Sequence, residues 1–275
     1  MKTESKYVDL HTHSTASDGT DTPAALVTAA SAAGLAAIAL TDHDTTEGVL
    51  RAQQMCRAHN LRCVSGVEIS TRDHNHLHFL GYNVNLQDET FQAFLAQNRQ
   101  HRVERIKKII FQLRADNVDI TEEEVFARAG NTISRAHVAD ALKAKKLASS
   151  RQDAFRKYLV EGKAGYVPSV GVSAIEAIKH IKRAGGVAVI AHPGIVTECW
   201  DFPAWTEAGL EGIEVFYPAH TFTLRQELLA IADKYGLFAT GGSDYHGPKS
   251  GRVTRAGVQI PQNHFNKIMH RLFNI

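Results

Sequence analysis

Seven short apolar or β-branched runs alternate with helical patterns along most of the chain, and this alternation limits the fold more than any other feature. The runs are YVDL (7–10), LAAIALT (35–41), LRCVSGVEIS (61–70), LHFLGY (77–82), VAVIAH (187–192), EGIEVFY (211–217) and LFATGG (237–242). Such runs, bounded by Gly, Asp or His, are what strands buried on both faces require. Between them, Thr22 reads as a helix N-cap, Pro23 as the first helical position and Gly34 as the stop. A second helix is expected over 47–59. A third falls within 172–186, where Ile175, Ile178 and Ile181 share a face, and a fourth within 223–236. Strand and helix in repetition predict an α/β fold on a parallel sheet, and closing that sheet into a barrel gathers the strand ends at one rim.

Residues 88–166 break the pattern, reading as several helices without a strand. They are expected to form a helical insertion capping the rim of a barrel domain made of 1–87 and 167–275. The insertion is basic: residues 99–163 hold 15 Lys or Arg against 9 Asp or Glu, in a chain whose net charge is only +2. That excess suits an anionic ligand and equally a solvated helical surface. With 44% hydrophobic and 22% charged residues, the composition argues against disorder and against a disulfide scaffold. No apolar run approaches the roughly 20 residues of a membrane span, and the start, Met1 to Lys6, lacks a signal-peptide pattern. Cys56, Cys63 and Cys199 show no Cys-X-X-Cys spacing, so a reduced, cytoplasmic setting is expected.

Metal-type side chains recur at equivalent places in this scheme. His11 and His13 follow the first strand, with Asp18 in the loop beyond; Asp42, His43 and Asp44 follow the second; Glu68 ends the third; His78 lies on the fourth; His192 ends the fifth; Asp244 and His246 follow the seventh. Strand periodicity points His11 and His13 the same way. Nine of these, His11, His13, Asp18, His43, Glu68, His78, His192, Asp244 and His246, form the candidate ligand set. One zinc ion takes about four donors, so a set of this size implies two or three divalent ions. Mixed imidazole and carboxylate donors suit Mn, Fe or Zn better than Mg or Ca. Ser14, Ser17 and Ser243 are read as shaping loops, and Asp42 and Asp44 as either orienting ligands or capping turns. The other histidines, His59, His74, His76, His101, His180, His264 and His270, are read as surface or structural. His76 alone shares a strand face with a ligand candidate, His78.

The ordered motifs HTHSTASDG, LTDHDTTEG, GVEIS, HFLGY, IAHPG and GGSDYHG resemble those of the polymerase and histidinol phosphatase (PHP) superfamily. The resemblance runs from about Asp9 to Gly247. It is strongest to the branch of nucleoside 3',5'-bisphosphate phosphatases and 5'-to-3' exoribonucleases. It implies a distorted seven-stranded (βα)7 barrel and a trinuclear metal site, with Mn as first choice. The first metal would take His11, His13, Glu68 and Asp244; Glu68 would bridge to a second held by His78 and His192; Asp18, His43 and His246 would hold a third. Glu68, Asp244, His192 and Asp18 would thereby carry catalysis, with a metal hydroxide attacking a phosphoester. The expected substrates are a nucleoside 3',5'-bisphosphate or the 5' end of short 5'-phosphorylated RNA, with no membrane and no obligate protein partner.

Selectivity is expected from the insertion. NTISRAHVADAL (131–142) starts a helix near Ser134, placing Arg135 in the first turn, where backbone N–H groups and a guanidinium together hold phosphate. The segment resembles the Arg-Pro-His stretch of the branch, with Ala136 in place of proline. His137, Lys163 in EGKAGYVP and His220 in FYPAHT are further substrate-binding candidates. Three alternatives stand beside this reading. A histidinol-phosphate-type phosphatase is opposed by the insertion with Arg135. An amidohydrolase-type C–N hydrolase would put a bridging modified lysine where Glu68 stands and would leave Asp18, His43 and His246 without purpose. A non-catalytic nucleic-acid or partner-binding module would have lost ligands, whereas all nine positions are filled.

Overall fold

A computed structural model describes residues 5–275; the start of the chain (1–4), where the absence of a signal peptide was read, lies outside the described residues. All seven expected strands form: β1 (Ser5–Thr12), β2 (Ala37–Leu40), β3 (Arg62–Ser70), β4 (His78–Tyr82), β5 (Val187–Ile190), β6 (Leu210–Phe216) and β7 (Phe238–Gly241). They make one sheet in the order β7-β6-β5-β4-β3-β2-β1, to which an unexpected eighth strand, β8 (Val258–Pro261), adds beside β1. The ends of the ribbon curl towards each other, and a parallel bridge between Thr12 and Tyr245 joins β1 to the segment after β7.

The sheet is not wholly parallel, which corrects the sequence-based expectation. β4 runs antiparallel to both β3 and β5, and β8 antiparallel to β1. The connection from β3 to β4 (71–77) dictates the first reversal, because a parallel pair needs a crossover of roughly a dozen or more residues. As a result β4 begins at the rim where β3 ends, and Ser70 pairs with His78.

The barrel helices follow from local chemistry. α1 (Pro23–Ala32) is capped by the Thr22 side chain, and α2 (Val49–Ala58) buries Val49, Ala52 and Cys56. α7 (Ala174–Arg183) opens with a capping box between Ser173 and Glu176 and packs Ile178 and Ile181 inward. α8 (Phe202–Ala208), α9 (Phe222–Tyr235) and α10 (Gln262–Phe273) complete the outer layer. The main core lies between these helices and the sheet, with Val67, Phe79, Leu80, Val189 and Ile213 at its centre.

Residues 88–166 are helical. α3 (Glu89–Ala115), capped by Asp88, is followed by α4 (Glu122–Phe126), α5 (Arg135–Ala144), α6 (Arg151–Ala154) and a π-helical turn, Phe155–Leu159. Phe91, Phe94 and Leu95 in the first part of α3 join the barrel core, while Ile106, Ile109, Ile110 and Leu113 join a second apolar cluster with Val125, Val138 and Leu142. One helix thus belongs to two cores. Among the described residues no helix is long and apolar enough to cross a membrane.

Candidate metal centre and cleft

The ligand candidates converge on one carboxylate. Glu68, on the last turn of the β3 pleat before the rim, is surrounded by five imidazoles. Its Oε1 lies 2.8 Å from His78 Nδ1, 3.1 Å from His192 Nε2 and 3.4 Å from His11 Nε2; its Oε2 lies 2.9 Å from His43 Nδ1 and 3.3 Å from His13 Nε2. Asp244 Oδ1 sits 3.2 Å from His13 Nε2 and 3.5 Å from His11 Nε2, and Asp18 Oδ1 sits 3.3 Å from His246 Nε2. Four donor groups each gather within 4.8 Å: His11, His13 and Asp244; His11, Glu68 and His192; His43, Glu68 and His78; His13, Asp18, His43 and His246. The structure therefore brings all nine candidates together.

Several of these atoms have no other purpose in the protein. Among the described residues, His11 Nε2, both nitrogens of His13, His43 Nδ1, His192 Nδ1 and Glu68 Oε2 are buried with no hydrogen-bond partner outside this cluster. Unpaired buried polar atoms are costly, and so many facing one another fit divalent cations in their midst. Ionisation agrees. Burial opposes charge on Asp18, Glu68 and Asp244, yet His246 and His43 at Asp18, His43 and His78 at Glu68, and Arg252 and His246 at Asp244 hold them well below the usual carboxylate range. Deprotonated carboxylates are the form a metal takes.

The rim holds the donors through strained and braced backbone. Asp44, His192 and Asp244 have φ of 51°, 30° and 55°, a left-handed region costly for non-glycine residues. A Cβ at Gly242 would strike the side chain of His11, so glycine permits β7 to pass that ligand. Asp42 accepts from Ser14 N (2.7 Å), Ser14 Oγ (2.6 Å) and Ser17 Oγ (2.6 Å), tying down the loop that carries Asp18. Asp44 instead anchors the insertion: Arg102 Nε donates to it at 2.6 Å and Asn98 Nδ2 at 3.1 Å.

Beside the centre opens a cleft of about 450 Å³ between rim and insertion. Asp18, His43, His78 and His246 face it from the barrel, and Arg102, Arg105, Arg135, Arg151 and Phe155 from the insertion. Arg135 is the sequence candidate that reaches it; its guanidinium lies 5.5 Å from the Phe155 ring centre, and no described residue accepts a hydrogen bond from it. Burial and the neighbouring Arg102 and Arg252 pull its pKa down to about 10. The other three candidates do not line the cleft. His137 Nδ1 accepts from Ser134 N (2.9 Å) in a capping box, His220 is bonded at both nitrogens, to Val215 O and Gly194 N, and Lys163 is exposed on the return segment. His76 does line it.

Sequence reading missed Glu214, Arg102, Arg105 and Arg252. Glu214, fully buried on β6, takes His11 Nδ1 at 3.1 Å and the His192 backbone N–H at 2.7 Å. Its signal was an acid inside the apolar run EGIEVFY, which needs a partner once buried. Arg252 donates to Asp244 Oδ2 at 2.8 Å from the loop before β8.

Comparison with known proteins agrees with this geometry. The PHP domain family model matches residues 9–162. The chain is 35% identical over 255 residues to a 3',5'-nucleoside bisphosphate phosphatase of Chromobacterium violaceum, covering 89% of this chain and 88% of that one. It is 36% identical over 249 residues to a 5'-3' exoribonuclease of Escherichia coli, covering 87% and 85%. Among solved structures, a candidate metal-dependent phosphoesterase from Bifidobacterium adolescentis superposes with a TM-score of 0.85 at 32% identity, covering 96% of each chain. The chain belongs to the PHP domain family and is a metal-dependent phosphoesterase, a hydrolase acting on phosphoester bonds.

Proposed function

We propose that the substrate is a nucleotide carrying two phosphates: a nucleoside 3',5'-bisphosphate, or the 5'-phosphorylated end of a short RNA that presents the same arrangement. The observation that carries this reading is the half-buried Arg135 guanidinium, which donates to no described residue and faces the same cleft as the metal donors. A cation so placed binds an anion at a fixed distance from the bond that is cut, which a single phosphate does not need. Arg102 and Arg105 widen the positive field, but each is already engaged, Arg102 with Asp44 and Arg105 with Asn75 Oδ1 (2.5 Å) and Val167 O. Arg135 is free to turn to substrate. Phe155 beneath it offers a face on which a base can stack. Relatives named as a bisphosphate phosphatase and an exoribonuclease support both forms of the substrate.

Three cations are assigned to the donors as the family resemblance implies, with Mn preferred: His11, His13, Glu68 and Asp244; Glu68, His78 and His192; Asp18, His43 and His246. Bound there, divalent ions supply an acidified water and draw charge from phosphoryl oxygens. The chain does the remainder. Glu214 fixes the His11 tautomer by accepting a hydrogen bond from Nδ1–H, leaving Nε2 to face Glu68 and Asp244. Residues 88–166 act as a substrate cap over the barrel of 1–87 and 167–275, and three free thiols suit a cytoplasmic protein.

The test is phosphate or nucleotide release from 3',5'-bisphosphonucleotides, 5'-phosphorylated RNA and histidinol phosphate with Mn present. Preference for the first two over histidinol phosphate is expected. The reverse ranking overturns the proposal.

A further inference from the structure

The insertion reaches the metal donors themselves. Ser134, N-cap of α5, donates its hydroxyl to Asp18 Oδ2 at 2.9 Å, and both side chains are buried. The same hydroxyl accepts the Ala136 N–H at 3.1 Å, so its direction is fixed by the helix start. The two oxygens of Asp18 are thereby sorted: Oδ1 faces His246 Nε2 (3.3 Å), while Oδ2 lies between Ser134 and His43 Nε2 (3.9 Å).

The surrounding contacts form a continuous seam. Asn131 and Thr132 donate their backbone N–H groups to Ala16 O at 3.0 and 3.1 Å, and Thr45 Oγ1 donates to Asn131 Oδ1 at 2.8 Å. Gly130 lies against the Thr15 carbonyl, where any Cβ would collide. Arg151, held by Asp140, reaches Asp18 O at 3.4 Å. The loops of Asp18 and His43 meet the insertion through Ser134, Asn131 and Arg102, and the loop of His246 meets it through Gln152, which donates to Ser250 O at 3.4 Å.

We propose that the insertion is a working part of the metal centre: Ser134 is a positioning residue that sets the Asp18 carboxylate, linking cation binding at Asp18, His43 and His246 to docking of residues 130–144. Resting on the metal assignment proposed above, it assigns Ser134 a duty distinct from substrate selection. Linkage is reciprocal, so a cation at these donors holds the insertion down as firmly as the insertion favours the cation.

Ser134→Ala, Ser134→Gly and Ser134→Thr are compared with Ser150→Ala, which removes the cap of α6 and touches no metal donor. Bound Mn is counted by elemental analysis after gel filtration and its affinity measured by calorimetry; exchange of α5 amides is followed with and without Mn. The wild type is expected to hold three equivalents. Ser134→Ala and Ser134→Gly should weaken one of them by about 10- to 100-fold, the usual effect of losing a partner of a metal ligand. Mn should slow α5 exchange in the wild type but not in these two variants. Ser134→Thr and Ser150→Ala should behave as wild type. Unchanged stoichiometry and affinity in Ser134→Ala and Ser134→Gly, or equal loss in Ser150→Ala, overturns the inference. A wild type holding fewer than two equivalents overturns the metal assignment beneath it as well.

Discussion

His11 Nδ1 lies 3.1 Å from Glu214 Oε1, across the barrel interior from β1 to β6, with both side chains fully buried. The carboxylate decides which ring nitrogen carries the proton and which is left for a cation. Replacing Glu214 with Ala should lower Mn affinity by ~10- to 100-fold. Glu214→Gln, which keeps an acceptor, should lose less. Calorimetric titration of the two variants checks this; equal affinity to wild type in both would remove Glu214 from the site.

Glu68 touches five imidazoles, so its loss should be felt at more than one cation. Glu68→Ala should cut turnover by more than the ~100-fold that follows loss of an outer partner, and His192→Ala should behave similarly. Circular dichroism should show both folded. Substantial Mn-dependent hydrolysis by either variant contradicts a bridging carboxylate.

Arg135 tests selectivity. A hydrogen bond to a charged group is worth about 1.5–3 kcal/mol, or roughly 10- to 100-fold in binding. Arg135→Ala should therefore raise KM for a nucleoside bisphosphate by that factor and leave a simple aryl phosphate nearly unchanged. Equal effects on the two substrates would show that Arg135 does not choose between them.

His76 gives a pH dependence. Burial, and then Arg135, hold its pKa down to about 3, below the ordinary histidine value. A neutral imidazole favoured by the fold contributes stability that is complete above the unfolded pKa and lost as pH falls from about 6.5 towards 3. In chelator, the wild type should lose up to ~1.4 kcal/mol per pH unit from this group as the medium is acidified. His76→Gln should lose less between pH 7 and 5 in denaturant melts. Parallel curves for the two proteins would rule His76 out.

Much of this molecule could be read from residue order because its strands are short and apolar and its donors sit at their ends. Direction was harder. The alternation gave β4 as a strand, and the shortness of 71–77 held the clue to its reversal, but attention to composition alone treats every buried run alike. β8 escaped because Val258–Pro261 carries Gln and Pro and is only partly buried at the edge beside β1. The nine ligand candidates were legible since cations need many donors of few types. Glu214 and Arg252 were not, because a lone acid within a strand and a lone arginine in a loop acquire meaning only when a distant partner arrives. Ser134 was readable as a helix cap, yet its bond to Asp18 spans 116 positions and no local pattern encodes it.

Because β4 reverses, the chain leaves it at the end of the barrel far from the donors, and α3 must climb back. Its 27 residues rise about 40 Å, passing the rim where Asn98 and Arg102 grip Asp44 and carrying the last turns above it. α3 is therefore a strut whose length sets the height of the roof. Deleting four residues near Gln97 would lower that roof by roughly 6 Å and turn it by ~40°, unlatching Arg102 from Asp44 and drawing Ser134 away from Asp18.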